Sequence, residues 1–391
     1  MLQAVSVTTL GVLPTFLLGA LAVQIRADLD LGPAQIGLAA ATLFAVSGVL
    51  ARPLSKVVQR VGASRGMAIS ALLAAVSLVG VASAPSFEVL VLALLVGGCA
   101  NAMAQPSANL SISRMIGSGR LGLAFGIKQS SIPMASLLGG LAVPGIALVY
   151  GWRLAFLIGA GAAIFVAVWA AFRRSGAAPT FAIGQPQDRG TPRAGLWVLT
   201  IGAGLAAAAA TSIGVFLVDS AVESGTSPGS AGLLFAGAAV GGLVIRIALG
   251  AAMDRFPTRS PYVLISNLLV AGTIGYLLLA IGTPQFLLIG ALLAYSGGWT
   301  WPGLLHFAVV RDNRQHAAAA TGVVQTGLSL GSAGGPLLFG ILVEATSYQT
   351  AWVAAAGVAV SAAITFRFGR AMIRRSRRLA LVSATSEQSA S

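Results

Sequence analysis

The stretch Ser55-Lys-Val-Val-Gln59-Arg60-Val-Gly62-Ala-Ser-Arg65 returns later in the chain as Gly250-Ala-Ala-Met-Asp254-Arg255-Phe-Pro-Thr-Arg259. Each copy reads as a short basic turn between two long apolar runs, and Arg60 and Arg255 stand 195 residues apart. If the match records a duplication, other positions repeat at that offset, and they do. Gly32-Pro33-Ala-Gln-Ile-Gly37-Leu38 matches Ser227-Pro228-Gly-Ser-Ala-Gly232-Leu233, and Gly19 matches Gly214. Further on the offset is 196: Pro106 matches Pro302, Gly126 matches Gly322, Gln129 matches Gln325, and Ala155-Phe156 matches Ala351-Trp352. One inserted residue accounts for the change. Gly and Pro matches alone carry little weight in a chain with 49 glycines. A constant offset over roughly 140 residues points to two related halves.

The chain has 391 residues, 57% of them hydrophobic and 9% charged, against about a quarter charged in soluble domains. A surface so poor in charge suits lipid rather than water. The net charge of +14 does not point to nucleic acid, because the basic residues stand singly between apolar runs and form no groove-reading motif. Cys99 is the single cysteine, so no intramolecular disulfide exists; inside an apolar run it reads as a small core residue. The first run, Leu2 to Val23, reads as a span rather than a cleavable signal, since it has neither a basic leading segment nor a convincing cleavage site.

A membrane helix needs about 20 mostly apolar residues. Twelve runs qualify, at 2–24, 34–53, 66–84, 88–111, 121–148, 153–172, 195–218, 229–252, 261–282, 285–309, 317–343 and 349–368. Between the sixth and seventh lies a polar stretch holding Pro179, Gly184, Pro186, Gly190 and Pro192, which reads as a linker. The expected fold is an all-α membrane protein with twelve transmembrane helices in two pseudo-symmetric six-helix halves. The halves are 1–172 and 195–368, joined by a linker at 173–194 and followed by a disordered tail at 369–391. Their wealth of Gly, Ala and Ser lets helix backbones approach closely in lipid.

Lys and Arg set the orientation. With the N-terminus inside, Arg52, Lys56, Arg60, Arg65, Arg114, Arg120, Arg246, Arg255, Arg311 and the cluster from Arg367 to Arg378 fall in inside loops and the tail, and only Arg26 and Arg153 fall outside. Asp28, Asp30, Glu88, Asp219, Glu223 and Glu344 fall outside as well. The expectation is a multi-pass protein of the bacterial inner membrane with both termini cytoplasmic.

These features resemble the major facilitator superfamily, over nearly the whole chain. In that superfamily the turn between helices 2 and 3, and its copy between helices 8 and 9, reads roughly Gly-x-x-x-Asp-Arg-x-Gly-x-Arg/Lys. The second copy here keeps Gly250, Asp254 and Arg255 but has Pro257 for the later Gly. The first keeps Arg60, Gly62 and Arg65, with Ser55 for Gly and Gln59 for Asp. The resemblance implies that Gln59, Arg60, Asp254 and Arg255 take part in gating the cytoplasmic side, although Gln59 can hydrogen-bond but not ion-pair. Many proton-coupled drug exporters of the superfamily carry Gly-x-x-x-Gly-Pro-x-x-Gly-Gly in helix 5. Helix 5 here reads Ala135-Ser-Leu-Leu-Gly139-Gly140-Leu-Ala-Val-Pro144, without the Gly-Pro, and Gly334-Gly335-Pro336 stands in helix 11 instead. That departure counts against drug export.

Ionisable groups inside a bilayer are costly and therefore functional candidates. Lys128 lies about 10 Å into the fifth span at ~1.5 Å per residue. Either its stem snorkels back to the interface, or its charge faces a cavity and suits an anion. Its repeat counterpart is Val324 while the neighbouring Gln129 is matched by Gln325, so the lysine breaks a symmetry that its neighbour keeps. Asn101, Gln105 and Asn109 form one polar stripe on the fourth span, read either as interhelical hydrogen bonding or as substrate contact. Tyr295, Trp299, Pro302 and His306 share one face of the tenth, read either as core or as ligand surface. The resemblance favours substrate contact for both stripes, because helices 1, 4, 7 and 10 line the superfamily's central cavity. The candidate substrate-binding residues are thus Lys128, Asn101, Gln105, Gln129, Tyr295, Trp299 and Gln325.

No Asp or Glu falls near the middle of any span. With two histidines and one cysteine, the chain has no metal-spaced cluster, phosphate-cradling loop or nucleophile elbow; neither an enzyme nor a cofactor or metal is expected. The leading expectation is a monomeric secondary carrier moving a small organic anion by alternating access, with a coupling proton or ion. Efflux of a hydrophobic or cationic compound is the alternative within transport. A non-transporting membrane sensor or scaffold is the alternative of another class.

Overall fold

In lipid a backbone must satisfy its own polar groups, so apolar runs of this length fold as helices. The computed structural model describes residues 1–113, 121–172, 193–256, 259–313 and 317–390, and the described residues contain no strand. The first span is α1 (Leu2–Ala20), extended by α2 (Ala22–Leu29). Spans two to four are α3 (Pro33–Val61), α4 (Ala63–Ala82) and α5 (Phe87–Ser113). The fifth is broken into α6 (Leu121–Gln129), α7 (Ser131–Ala142), a π-helical turn (Val143–Ala147) and α8 (Leu148–Tyr150), and the sixth is α9 (Trp152–Phe172). The second half repeats the plan with α10 (Arg193–Glu223), α11 (Pro228–Arg255) and α12 (Pro261–Ile281). Its tenth span is split into α13 (Pro284–Gly298) and α14 (Pro302–Asp312), before α15 (Ala317–Ala345) and α16 (Tyr348–Ala390). Eleven stretches of described helix are long and apolar enough to cross a bilayer; the split tenth span makes the remaining crossing.

Three expectations are corrected. The repeated basic segments are not turns but helix ends. Helix α3 runs through Arg60 to Val61, and the whole connection to α4 is Gly62 at φ 87°, a conformation glycine reaches without a Cβ penalty. Arg246 is not in a loop. It lies inside α11, 2% exposed. The tail does not leave the helix: α16 continues to Ala390. Most of the 173–194 linker, with Arg114, Arg120 and Arg314, lies outside the described residues.

Alternating spans put Met1, the end of α9 and the end of α16 on one face, here the terminal face, and the α2–α3 and α15–α16 connections on the far face. The halves meet along three seams. Helix α1 packs on α10, α3 on α15, and α11 on α6 and α7. The first seam marks the pseudo-two-fold axis. A Cβ on Gly19 would lie 2.6 Å from the Gly214 carbonyl oxygen; repeat-related residues can touch only near the axis that relates them. The other two seams are copies of each other toward the far face. A Cβ on Gly37 would collide with the Pro336 oxygen, and one on Gly232 would meet the Gly140 oxygen at 2.7 Å. Toward the terminal face the copies diverge. Gly122 and Gly126 pack on the backbones of Gly250 and Arg246, whereas Gly322, the counterpart of Gly126, has no described atom within 4 Å of its Cβ position. The α11 seam is closed along its length, and the α3–α15 seam parts at the terminal face.

Within the second half, a Cβ on Gly331 of α15 would run into the Gly204 carbonyl of α10. Gly331→Ala is therefore expected to lower stability by about 1–3 kcal/mol, read as a drop in the melting temperature of the detergent-purified protein. An unchanged value would show that the two helices part freely.

Candidate functional site

Helices five and ten break at the middle of the molecule, and prolines cause both breaks. Proline has no N–H to give the carbonyl four residues back. Pro133 leaves the Gln129 carbonyl unserved, and Pro302 leaves that of Gly298. Trp301 fills the second vacancy with its ring N–H, 2.7 Å from the Gly298 oxygen. Arg246 fills the first from α11: its Nη1 donates to the Gln129 carbonyl, and its Nη2 donates to the Trp299 carbonyl at the end of α13. One guanidinium thus ties both broken helices. Its Nε, buried, has no partner among the described residues.

Around this arginine several expected site residues come together. His306 Nδ1 donates to the Pro302 carbonyl at 2.7 Å and lies 3.2 Å from the Gln129 side-chain amide, and Gln325 borders the same ring. The two repeat-related glutamines therefore meet at one imidazole. Gln129 is buried while Gln325 is exposed. Lys128 is 4% exposed, forms no ion pair among the described residues, and stands near enough to His306 to act on it electrostatically. Trp299 stacks obliquely on Tyr295 and on Phe16, each at 5.3 Å, and the Tyr295 hydroxyl donates to Ser136 Oγ at 2.7 Å. A cavity of about 10 Å³ lies beside Arg246, lined also by Gly126, Thr300 and Phe307. That is room for one water at most, so a solute enters only when the halves part.

The polar stripe of the fourth span is not part of this cluster. Asn101 donates to Ser47 Oγ at 2.9 Å and abuts Gly11, all within the first half. Gln105 is half-buried and Asn109 exposed, and nothing among the described contacts joins them to Lys128. Arg246 and His306 are absent from the expected site. His306 is legible on the face of the tenth span. Arg246 reads as an inside-loop residue although the run 229–252 contains it, and a charge within a run is itself the signal of a candidate.

Three carboxylates latch the halves together. On the terminal face Asp254, at the end of α11, accepts from the backbone N–H groups of Gly122 and Leu123, both at 2.8 Å. These are orphan donors at the start of α6, where the helix dipole also favours a negative charge. Gln59, Arg60 and Arg255 are exposed at the ends of their helices. On the far face Asp219 pairs with Arg26 at 2.6 Å and accepts the Tyr348 hydroxyl. Partial burial disfavours the Arg26 charge, but Asp219 more than offsets this and holds the guanidinium above its ordinary pKa. Glu344, at the end of α15, accepts from Ala34 N–H at 3.1 Å, in the first turn of α3. Each carboxylate comes from the second half and each donor from the first, Tyr348 excepted.

Twelve crossings, a two-fold repeat and latches on both faces are the anatomy of an alternating carrier, and comparison with known families agrees. The model of the Major Facilitator Superfamily matches residues 4–197 and 199–388. The chain belongs to the major facilitator superfamily. As a superfamily member it is a multi-pass membrane transporter. No curated protein matches its sequence. Among solved structures it is similar in fold to a bacterial homolog of the human lysosomal transporter Spinster, inward-facing and occupied, with 18% identity, 96% of each chain covered and a TM-score of 0.68. The same homolog, inward-facing and unoccupied, gives 19% identity, 95% of each chain and a TM-score of 0.65. A point mutant of the nucleoside transporter NupG gives 16% identity, 94% of this chain, 99% of that one and a TM-score of 0.71.

Proposed function

We propose that this superfamily member carries a small organic anion across the bilayer, with Lys128 as a cation that holds it. The observation that supports the reading is the burial of Lys128 with no described carboxylate paired to it. An ammonium buried without a counter-charge costs several kcal/mol. An anion arriving between the halves removes that cost, so binding is driven by a charge the empty protein holds at a loss. Gln129, Gln325, Trp299 and Tyr295 shape the pocket.

A desolvated charge-assisted contact is worth roughly 1.5–3 kcal/mol. Lys128→Gln is therefore expected to weaken binding by about tenfold or more, and Lys128→Arg to keep part of the affinity. The measurement is uptake of candidate carboxylates into proteoliposomes holding each variant at matched protein content. Equal uptake and affinity in parent and Lys128→Gln would end the anion reading.

On this reading the terminal face lies in the cytoplasm of a bacterium and the spans in its inner membrane, since the basic residues gather at that face. A cysteine introduced at Gln187 is expected to resist an impermeant thiol reagent in cells whose outer membrane has been permeabilised, and to react in inverted vesicles. The opposite pattern reverses the topology.

A further inference from the structure

We infer that Arg246 is a second anion-binding cation of the same site, and that the site takes a ligand bearing two negative charges, such as a dicarboxylate or a phosphate monoester. The inference rests on the anion reading above and extends it.

Charge comes first. Arg246 and Lys128 are 2% and 4% exposed, and Arg246 grips the carbonyl of the residue next to Lys128. The described carboxylates nearest the span ends are engaged elsewhere. Asp219 holds Arg26 and Tyr348, Asp254 holds the start of α6, and Asp312 holds Tyr262 at 2.9 Å. Two buried cations thus flank the break in helix five, and no described carboxylate is paired to either.

A structural role explains part of Arg246 and leaves its charge over. The prolines free carbonyls that need donors, but a neutral donor suffices: Trp301 serves Gly298 in that way. An arginine there buries a charge that carbonyl dipoles compensate only in part, and its Nε stays unpaired among the described residues. The repeat sharpens the point. The counterparts of Arg246 and Lys128 are Ala51 and Val324, on the α3–α15 seam. That copy packs the same glycines at its far end with neither cation. The far end of the seam packs without the charges. At the terminal end Arg246 closes the seam through two carbonyls, a task that needs donors and not a charge, so the charge is left for something that enters.

Guanidinium and ammonium differ in what they bind. The guanidinium presents a planar fork to two oxygens, and the ammonium acts as a point charge. A ligand with one anionic group neutralises one of them and leaves the other buried and unpaired. A dianion neutralises both. In taking the ligand, Arg246 exchanges the Gln129 and Trp299 carbonyls for its oxygens. Helices five and ten are then released from each other at the moment of binding.

The test uses the full chain, purified in detergent near neutral pH at matched ionic strength. Thermal stabilisation is titrated with two matched pairs, succinate against butyrate and phthalate against benzoate, and with phenyl phosphate. A ligand bound only by the folded state raises the melting temperature. In the parent protein at least one dianion is expected to half-saturate at about a tenth of its partner's concentration or less. In Arg246→Gln that advantage disappears while the monoanion still binds. Arg246→Lys keeps the charge and retains much of the advantage, which separates lost binding from lost folding. If Arg246→Gln keeps the dianion advantage, or the parent binds both members of a pair equally, the inference falls and the anion reading survives. If none of the five anions stabilises the parent, the anion reading falls with it.

Discussion

Asp219→Ala is expected to open the far face. The carboxylate lies at the end of α10 with its side chain 6% exposed, and it holds Arg26 of the other half at 2.6 Å. The Tyr348 hydroxyl donates to the same oxygen. The Arg26 contact crosses between halves and exists only while the far face is shut. Removing one member of a fully buried pair costs about 3–5 kcal/mol. Arg26 is 28% exposed, and water screens it, so about 2 kcal/mol is a fair expectation. That shifts the balance of states about thirtyfold. The reporter is a cysteine at Ala236 in a Cys99→Ala background, since Ala236 is buried against Gly140 across the seam. Its labelling rate should rise about thirtyfold in Asp219→Ala, by the same conversion, and Arg26→Gln should behave alike. The double variant should add little to either, because both remove one interaction. Additive effects would show that the pair is not the latch.

Asp254→Ala is expected to do the converse at the terminal face. Two backbone N–H groups of α6 donate to this one carboxylate, and the helix dipole adds to the attraction. Charge-assisted bonds of this kind are worth roughly 1.5–3 kcal/mol each when buried. Asp254 is only half-buried and water screens it, so losing both together should move the population by about tenfold or more. Asp254→Asn keeps the shape and one acceptor and should fall between. The reporter is a cysteine at Met253, which is buried and lines the cavity with Gly122. Gln59→Asn supplies the comparison, because Gln59 is exposed at the end of α3 and should change labelling little. An equal response at the two positions would show that the repeated segments gate the face together rather than through Asp254 alone. In proteoliposomes the two alanine variants should trap opposite states, and both should slow turnover.

Much of this is legible in the residues alone. Twelve apolar runs, basic residues gathered at alternate connections and a repeat at an offset of 195 and then 196 determine a twelve-helix, two-half membrane protein. The reason is local. Each span must satisfy its own backbone in lipid, so hydropathy along the chain is enough to read it. The repeat likewise marks Gly19 and Gly214 as equivalent, and Gln129 and Gln325 as a pair set apart from Lys128 and Val324.

What the chain order does not determine is non-local. That Gly19 touches Gly214, and that one histidine joins both glutamines, depends on where the two-fold axis falls between halves. Asn101 reads either as an interhelical hydrogen-bonding residue or as a substrate contact, because the stripe it shares with Gln105 faces one way. Only the packing of α3 shows that Ser47 meets it. Arg246 reads as a loop residue because a charge ordinarily ends an apolar run. It sits inside a span instead, where Pro133, more than a hundred residues away in sequence, leaves a carbonyl without a donor. The sequence by itself determined the spans, their number and their twofold relation. The tertiary structure decided which charges are buried, because burying a charge depends on the partners that other helices bring to it.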